Sequence, residues 1–244
     1  MSNDLLNLLG QIQTALSVRH LLPSAILSAD DDRSGPTREL MNLGLRAVKA
    51  AQDIDLSDVS ARIEKPPLYP DVWPGEHYKL LAGLVQTMQP KCIVEIGTAE
   101  GMSVLALKKF LPASSKVVTF DIVPWTQYSD SVLRAEDFAD GRMTQKVADL
   151  TDVNVVGQQA GLLREADIVF MDAAKDGRME SVFMDNFTNV GLKENALFVF
   201  DDIRLIQMVP LWRQLVFPKM DFTSFGHWSG TGLAFWSQSR PWSG

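Results

Sequence analysis

The sequence predicts an α/β fold: a doubly wound, mostly parallel seven-stranded sheet with a C-terminal antiparallel hairpin and an N-terminal helical cap. Three observations carry this. From residue 92 onward, short β-rich apolar runs alternate with helical stretches, the pattern of a parallel sheet covered on both faces. Before that point the apolar residues recur at helical spacing, up to a proline-dense break, KPPLYPDVWPG, holding Pro66, Pro67, Pro70 and Pro74. Near the end, two apolar runs flank a glycine-rich loop, as in a hairpin.

Taken in order, Leu5, Leu6, Leu9, Ile12, Leu16 and Leu21 predict a first helix. A second follows Ser34-Gly35-Pro36-Thr37, where Ser34 or Thr37 is available as a cap and Pro36 suits a helix start. A third, short, covers Leu56 to Ile63. The strands expected are Cys92–Ile96, Lys116–Phe120, Met143–Val147, Ile168–Met171 and Ala196–Phe200. Helices fit between them at Gly101–Phe110, Tyr128–Phe138, Asn154–Arg164 and Met179–Val190, and right-handed crossovers then wind the sheet on both faces. Phe222–Phe225 and Leu233–Trp236 are the expected hairpin strands. The domain boundary is placed in the proline segment: residues 1–74 as helical cap and connector, residues 75–244 as the main domain.

The 244 residues are 46% hydrophobic and 22% charged, which excludes a disordered or fibrous chain. No apolar run approaches the ~20 residues of a membrane span. A formal net charge of −7 argues against a nucleic-acid or anionic-membrane partner. The lone Cys92 rules out an internal disulfide and a cysteine-rich zinc site. The stretch MSNDLLNLLGQIQ lacks the basic start and cleavage site of a signal peptide, so a cytoplasmic location is expected.

The first strand runs into Glu95-Ile96-Gly97-Thr98-Ala99-Glu100-Gly101 and then a helix. Glycines at such a turn let a ligand approach the backbone, and ligands of open α/β sheets sit beyond the carboxyl ends of the strands. The dinucleotide fingerprint G-x-G-x-x-G fails at Ala99 and Met102, and no phosphate-binding G-x-x-x-x-G-K-[ST] string exists. Asp121 closes the second strand 20 residues after Gly101, a place suited to a ribose diol. Read alone, the turn is also what any tight strand-to-helix connection needs. With Asp121 it resembles motifs I and II of class I S-adenosylmethionine-dependent methyltransferases, a Rossmann-like family, with Ala99 at the usual middle glycine. The resemblance implies a cofactor site made of Glu95, Gly97, Thr98, Gly101, Ser103, Asp121, Ile122, Asp149, Leu150 and Asp172. In it, Gly97 and Gly101 flank the methionine moiety, Asp121 holds the ribose, Ile122 touches the adenine, and Asp149 or Leu150 borders the adenine edge.

Two further strands end in acids, at Asp172-Ala173-Ala174-Lys175-Asp176 and at Asp201-Asp202. If the strands are neighbours, Asp172, Asp201 and Asp202 converge, and carboxylates so placed call for a counter-charge such as Mg²⁺ or another divalent cation. Taken one by one, these acids also suit solvated strand ends or helix caps. As a set they resemble the metal-dependent O-methyltransferases of the catechol and caffeoyl-CoA type. The Asp201-Asp202 pair, where those families usually carry Asp-Asn, is closer to the macrocin-type sugar O-methyltransferases and puts a catechol acceptor in doubt. The resemblance covers about residues 75–237, makes Lys175 the catalytic lysine, and makes a homodimer plausible. A lysine beside a cation has a depressed pKa, which suits a base.

On the acceptor side, His227 is a candidate to position or deprotonate a hydroxyl. Tyr69, Trp73, His77, Tyr78, Trp125 and Trp228 offer flat contact faces, although each alone reads as packing for the cap helices. The sequence thus points to a divalent-cation-assisted O-methyltransferase acting on a hydroxylated small molecule, with Lys175 or His227 as base. A metal-independent N- or C-methyltransferase, a nicotinamide-binding oxidoreductase and a non-catalytic binding module are the alternatives.

Overall fold

A computed structural model describes residues 34–239 and 242. The predicted first helix, from Leu5 to Leu21, lies outside the described residues. Helix α1 spans Arg38–Gln52, and Thr37 caps it by accepting the Leu40 N–H. A short α2, Ser57–Ser60, and a 3₁₀ turn, Tyr69–Asp71, lead to α3, Tyr78–Met88. The alternating part then runs β1 (Cys92–Ile96), α4 (Met102–Lys109), β2 (Lys116–Asp121), α5 (Ala135–Phe138), β3 (Met143–Val147), α6 (Val153–Glu165), β4 (Ile168–Met171), α7 (Arg178–Val190) and β5 (Leu197–Asp201). It closes with α8 (Val209–Gln214), β6 (Lys219–Asp221) and β7 (Thr231–Phe235).

The seven strands lie in the order β3-β2-β1-β4-β5-β7-β6, with β7 antiparallel to both of its neighbours. The chain leaves β1 in one direction for β2 and β3, and returns to the other side for β4 and β5. The reversal falls between β1 and β4, where the sheet opens a crevice at its carboxyl edge. Every residue of β1, β4 and β5 is buried, because helices cover both faces of these central strands. On one face Ile93, Val117, Ile168, Phe170 and Val199 pack beneath α1, α3 and α4; on the other, Val94, Phe120, Val169, Met171 and Phe200 pack against α6, α7 and α8. The α1 residues Leu40, Leu43 and Ala47 belong to the first of these cores. Gly83 of α3 lets the two helices meet closely, since a Cβ there would fall 2.5 Å from the Ala47 carbonyl oxygen.

Two predicted elements differ. The helix expected over Tyr128–Phe138 is only α5, preceded by a 3₁₀ turn at Trp125–Gln127. Residues 131–133 are tied to the glycine turn instead: the Val132 N–H and the Ser131 hydroxyl donate to the Glu100 carbonyl, and Leu133 packs over Gly101. Tertiary contacts override the helical spacing there. The hairpin strand expected at Phe222–Phe225 ends earlier, as β6, because Asp221 Oδ1 accepts the Thr223 N–H at 2.9 Å and turns the chain into a 3₁₀ segment. No helix among the described residues is long and apolar enough to cross a membrane.

Candidate active site

The crevice has two halves. The first is built on the turn after β1. The Gly97 N–H donates to the Phe120 carbonyl at 2.8 Å, and the Asp172 N–H donates to the Ile96 carbonyl at 2.9 Å, so the turn is clamped between β2 and the end of β4. Gly97 has φ +100°, and a Cβ on it would lie 1.9 Å from the Asp172 carbonyl oxygen; only glycine fits. Ala99 sits at φ +41°, within the left-handed region that glycine takes more readily. Asp121 Oδ2 accepts the N–H groups of Thr98 and Ala99, each at 3.0 Å, and its Oδ1 accepts the Val123 N–H at 3.0 Å. A carboxylate offers about four acceptor sites, so three amides leave room for a hydroxyl. Gly101 caps α4 without a side-chain acceptor.

Around this turn the expected cofactor residues divide. Asp121 and Ile122 lie at the crevice, Ile122 largely exposed, and Asp149 sits beside them on an exposed turn that it closes by accepting from Thr151. Glu95, Thr98, Ser103 and Leu150 have buried side chains. Thr98 is turned inward to pair its hydroxyl with Thr119 at 2.7 Å, and Leu150 belongs to the core. Both Glu95 oxygens are buried without a hydrogen-bond partner, and burial pushes its carboxyl up to about 8.

The second half lies at the ends of β4 and β5. Lys175 Nζ sits 3.1 Å from Asp172 Oδ1, 3.5 Å from Asp201 Oδ2 and 2.6 Å from Asp202 Oδ2. The loop carrying it is drawn tight by Glu180 of α7, whose two oxygens accept the Lys175 N–H at 2.7 Å and the Gly177 N–H at 2.9 Å. Lys175 itself holds φ +62°. On the other side of Asp201, His227 Nδ1 and His77 Nδ1 each lie 3.2 Å from its Oδ1. His227 Nδ1 also meets the Ser229 hydroxyl at 2.8 Å, and its Nε2 faces Glu76 Oε2 at 3.5 Å.

The charges follow from this packing. Burial and the neighbouring Asp201 raise the Asp172 carboxyl to about 6. Burial works against the Asp201 charge as well, but His77 and His227 hold that carboxyl well below the usual range. Asp201 and Asp202 raise His227 to about 10 against the opposing effect of burial. The three carboxylates likewise raise Lys175 well above an ordinary lysine, although burial opposes its charge. In this arrangement the ammonium itself is the counter-charge of the cluster.

A family model described as a methyltransferase domain matches residues 94–203, which run from β1 through the Asp201-Asp202 pair. Residues 94–203, a little under half of the chain, are thus similar to a methyltransferase domain. Solved methyltransferase structures share this fold at low identity. The S-adenosylhomocysteine-bound methyltransferase PaMTH1 of Podospora anserina is 15% identical, with a TM-score of 0.50 over 85% of this chain and 92% of that one. A candidate caffeoyl-CoA O-methyltransferase of Staphylococcus aureus is 17% identical, with a TM-score of 0.50 over 82% of this chain and 98% of that one. A methyltransferase of Geobacter sulfurreducens is 25% identical, with a TM-score of 0.49 over 65% of this chain and 77% of that one. No curated protein matches the sequence.

The three acids meet as the sequence predicted, and Lys175 and His227 join them. Sequence reasoning missed Glu76, Glu180 and Ser229, and took His77 for a packing aromatic. Glu180 had a signal, an acid three residues after Gly177 at a helix start. Glu76 and His77 had none, because they reach His227 across 150 residues of chain. Of the other aromatics, Trp73, Tyr78 and Trp125 pack against the core, and Trp228 stands exposed at the crevice rim.

Proposed function

We propose that the protein moves the methyl group of S-adenosylmethionine to a hydroxyl of a small molecule, with a divalent cation held by Asp172, Asp201 and Asp202. One observation carries this reading: three carboxylates from two strand ends converge on a single point that holds a cation, the Lys175 ammonium, beside the glycine turn. The donor set fits Mg²⁺, a hard ion that prefers oxygen ligands. Lys175 is about one-third exposed and has room to withdraw.

When bound, the metal supplies a Lewis acid that lowers the pKa of a ligated hydroxyl and orients it. The chain does the rest. Asp121 and Ile122 seat the nucleoside end of the cofactor, and the Gly97 and Gly101 backbone borders its methionine end. Once a cation neutralises its carboxylate partners and its ammonium gives up a proton to solvent, Lys175 Nζ would take the proton of the acceptor hydroxyl. Most of the acceleration comes from lining up the oxygen behind the methyl group.

The test is a thermal melt with S-adenosylhomocysteine, with and without Mg²⁺, followed by a screen of hydroxylated acceptors with and without EDTA. The cofactor product raises the midpoint, and Mg²⁺ raises it further in a way that Asp202→Asn removes. Transfer to a hydroxyl that EDTA leaves unchanged overturns the metal. It favours a second reading, supported by the Lys175 contacts, in which the lysine is the permanent counter-charge of a metal-independent enzyme.

A further inference from the structure

The three-aspartate cluster uses one side of Asp201. The other side, Oδ1, faces a different chemistry. His77 is buried to 3% exposure; its Nδ1 faces Asp201 Oδ1 at 3.2 Å without hydrogen-bond geometry, and its Nε2 has no hydrogen-bond partner. A buried imidazole whose ring nitrogens lack well-aligned partners is unfavourable unless something binds it. His77 Nδ1, His227 Nδ1 and Asp201 Oδ1 lie within 4.8 Å of one another, and each nitrogen is 3.2 Å from the oxygen. Ligands about 2.0–2.1 Å from a tetrahedral ion stand about 3.3 Å apart, so those separations need little adjustment. Glu76 Oε2 lies on the far side of the His227 ring, 3.5 Å from Nε2. A carboxylate behind a ligating histidine is the usual means of fixing its tautomer and direction.

We propose that His77, His227 and Asp201 form a site for a borderline transition-metal ion of the zinc class, with Glu76 orienting His227 from behind. Two imidazoles and one carboxylate favour such an ion over Mg²⁺, which prefers oxygen donors. The site shares Asp201 with the three-aspartate cluster and abuts Asp202, whose Oδ1 lies 3.3 Å from His227 Nδ1. His77 follows the proline segment, and His227 sits in the loop between β6 and β7. An ion there staples the two segments beside the crevice, where Gly75 and Gly226 are already joined by a backbone hydrogen bond of 3.1 Å.

The experiment uses the full chain, stripped with chelator and titrated with Co²⁺ by visible absorption, then with Zn²⁺ as competitor. The expected result is one Co²⁺ per chain with the intense bands of a low-coordinate nitrogen–oxygen site, displaced by Zn²⁺ and indifferent to a large excess of Mg²⁺. His227→Gln and His77→Gln abolish the bands, Glu76→Gln weakens binding about 10–100-fold, and His20→Asn, at the remaining histidine, changes nothing. Asp172→Asn keeps the bands while removing the three-aspartate site, so failure of the Mg²⁺ reading and failure of this one are distinguishable. Absence of Co²⁺ binding, or only weak bands that persist in His227→Gln, overturns the proposal. Should His77→Gln fail to fold, His227→Gln decides alone, because its half-buried loop position tolerates the change.

Discussion

The glycine turn after β1 and the acid cluster after β4 and β5 lie side by side, yet they balance their carboxylates in different ways. Asp121 is met by three backbone N–H groups that come with the fold. Asp172, Asp201 and Asp202 are met by side chains that carry charge, Lys175, His77 and His227, from three separate segments. A backbone donor cannot leave; a side chain can be exchanged for another cation. The turn is therefore a fixed cradle and the cluster an exchangeable one, which is the division that a bound cofactor and a reacting acceptor require.

Substitutions at the turn should break this contrast most visibly. Gly97→Ala forces a Cβ onto a backbone carbonyl that cannot rotate away, and we expect a loss on the order of 3–5 kcal/mol in urea unfolding. Gly101→Ala meets only the flexible Leu133 side chain and should cost less, about 1–3 kcal/mol. Equal losses would mean that the rigidity of the cradle does not lie in its backbone. Next comes Asp121→Asn, which removes the charge behind two of the amides; calorimetry with S-adenosylhomocysteine should show affinity about 10–100-fold weaker. Unchanged affinity would remove Asp121 from the cradle.

Glu95 sharpens the comparison through pH. Its carboxyl is held up to about 8 in the folded chain, whereas an unfolded glutamate ionises near 4.5. Between those values the folded state binds the extra proton, so this group's contribution makes stability fall as pH rises, by at most about 1.4 kcal/mol per pH unit. Unfolding curves of Glu95→Gln from pH 5 to 8 should be flatter than those of the parent, and parallel curves would show that Glu95 is ionised in the fold. The smallest effect belongs far from the crevice. The Lys116–Glu165 pair is exposed on both sides, and Lys116→Met should change the unfolding free energy by less than about 1 kcal/mol.

The fold was legible because β4 and β5 are apolar runs that lead straight into acids, Asp172 and Asp201, and β1 is apolar except for Glu95. The fixed cradle was legible for a related reason: turn, helix start and closing acid follow one another locally. The exchangeable half was legible only where it shares that locality, at Asp172, Lys175 and Asp201-Asp202. Its remaining members were hidden because chain distance, not residue type, separates them; Glu76 and His77 meet His227 only after the hairpin folds back along the sheet. The misplaced helix at Tyr128 has the same origin, since Leu133 is claimed by Gly101 rather than by its own turn.

Gly97 carries a last consequence. The place a Cβ on Gly97 would take is filled by the carbonyl oxygen of Asp172, the residue that begins the loop carrying Lys175. A donor molecule that settles on the turn and shifts it by even a few tenths of an ångström pushes on the strand end where the acceptor is held. The two ligands are then thermodynamically linked: whatever factor the donor adds to acceptor affinity, the acceptor returns to the donor. Linkage of this kind sets no order of binding; it rests on the close approach of Gly97 to one carbonyl oxygen.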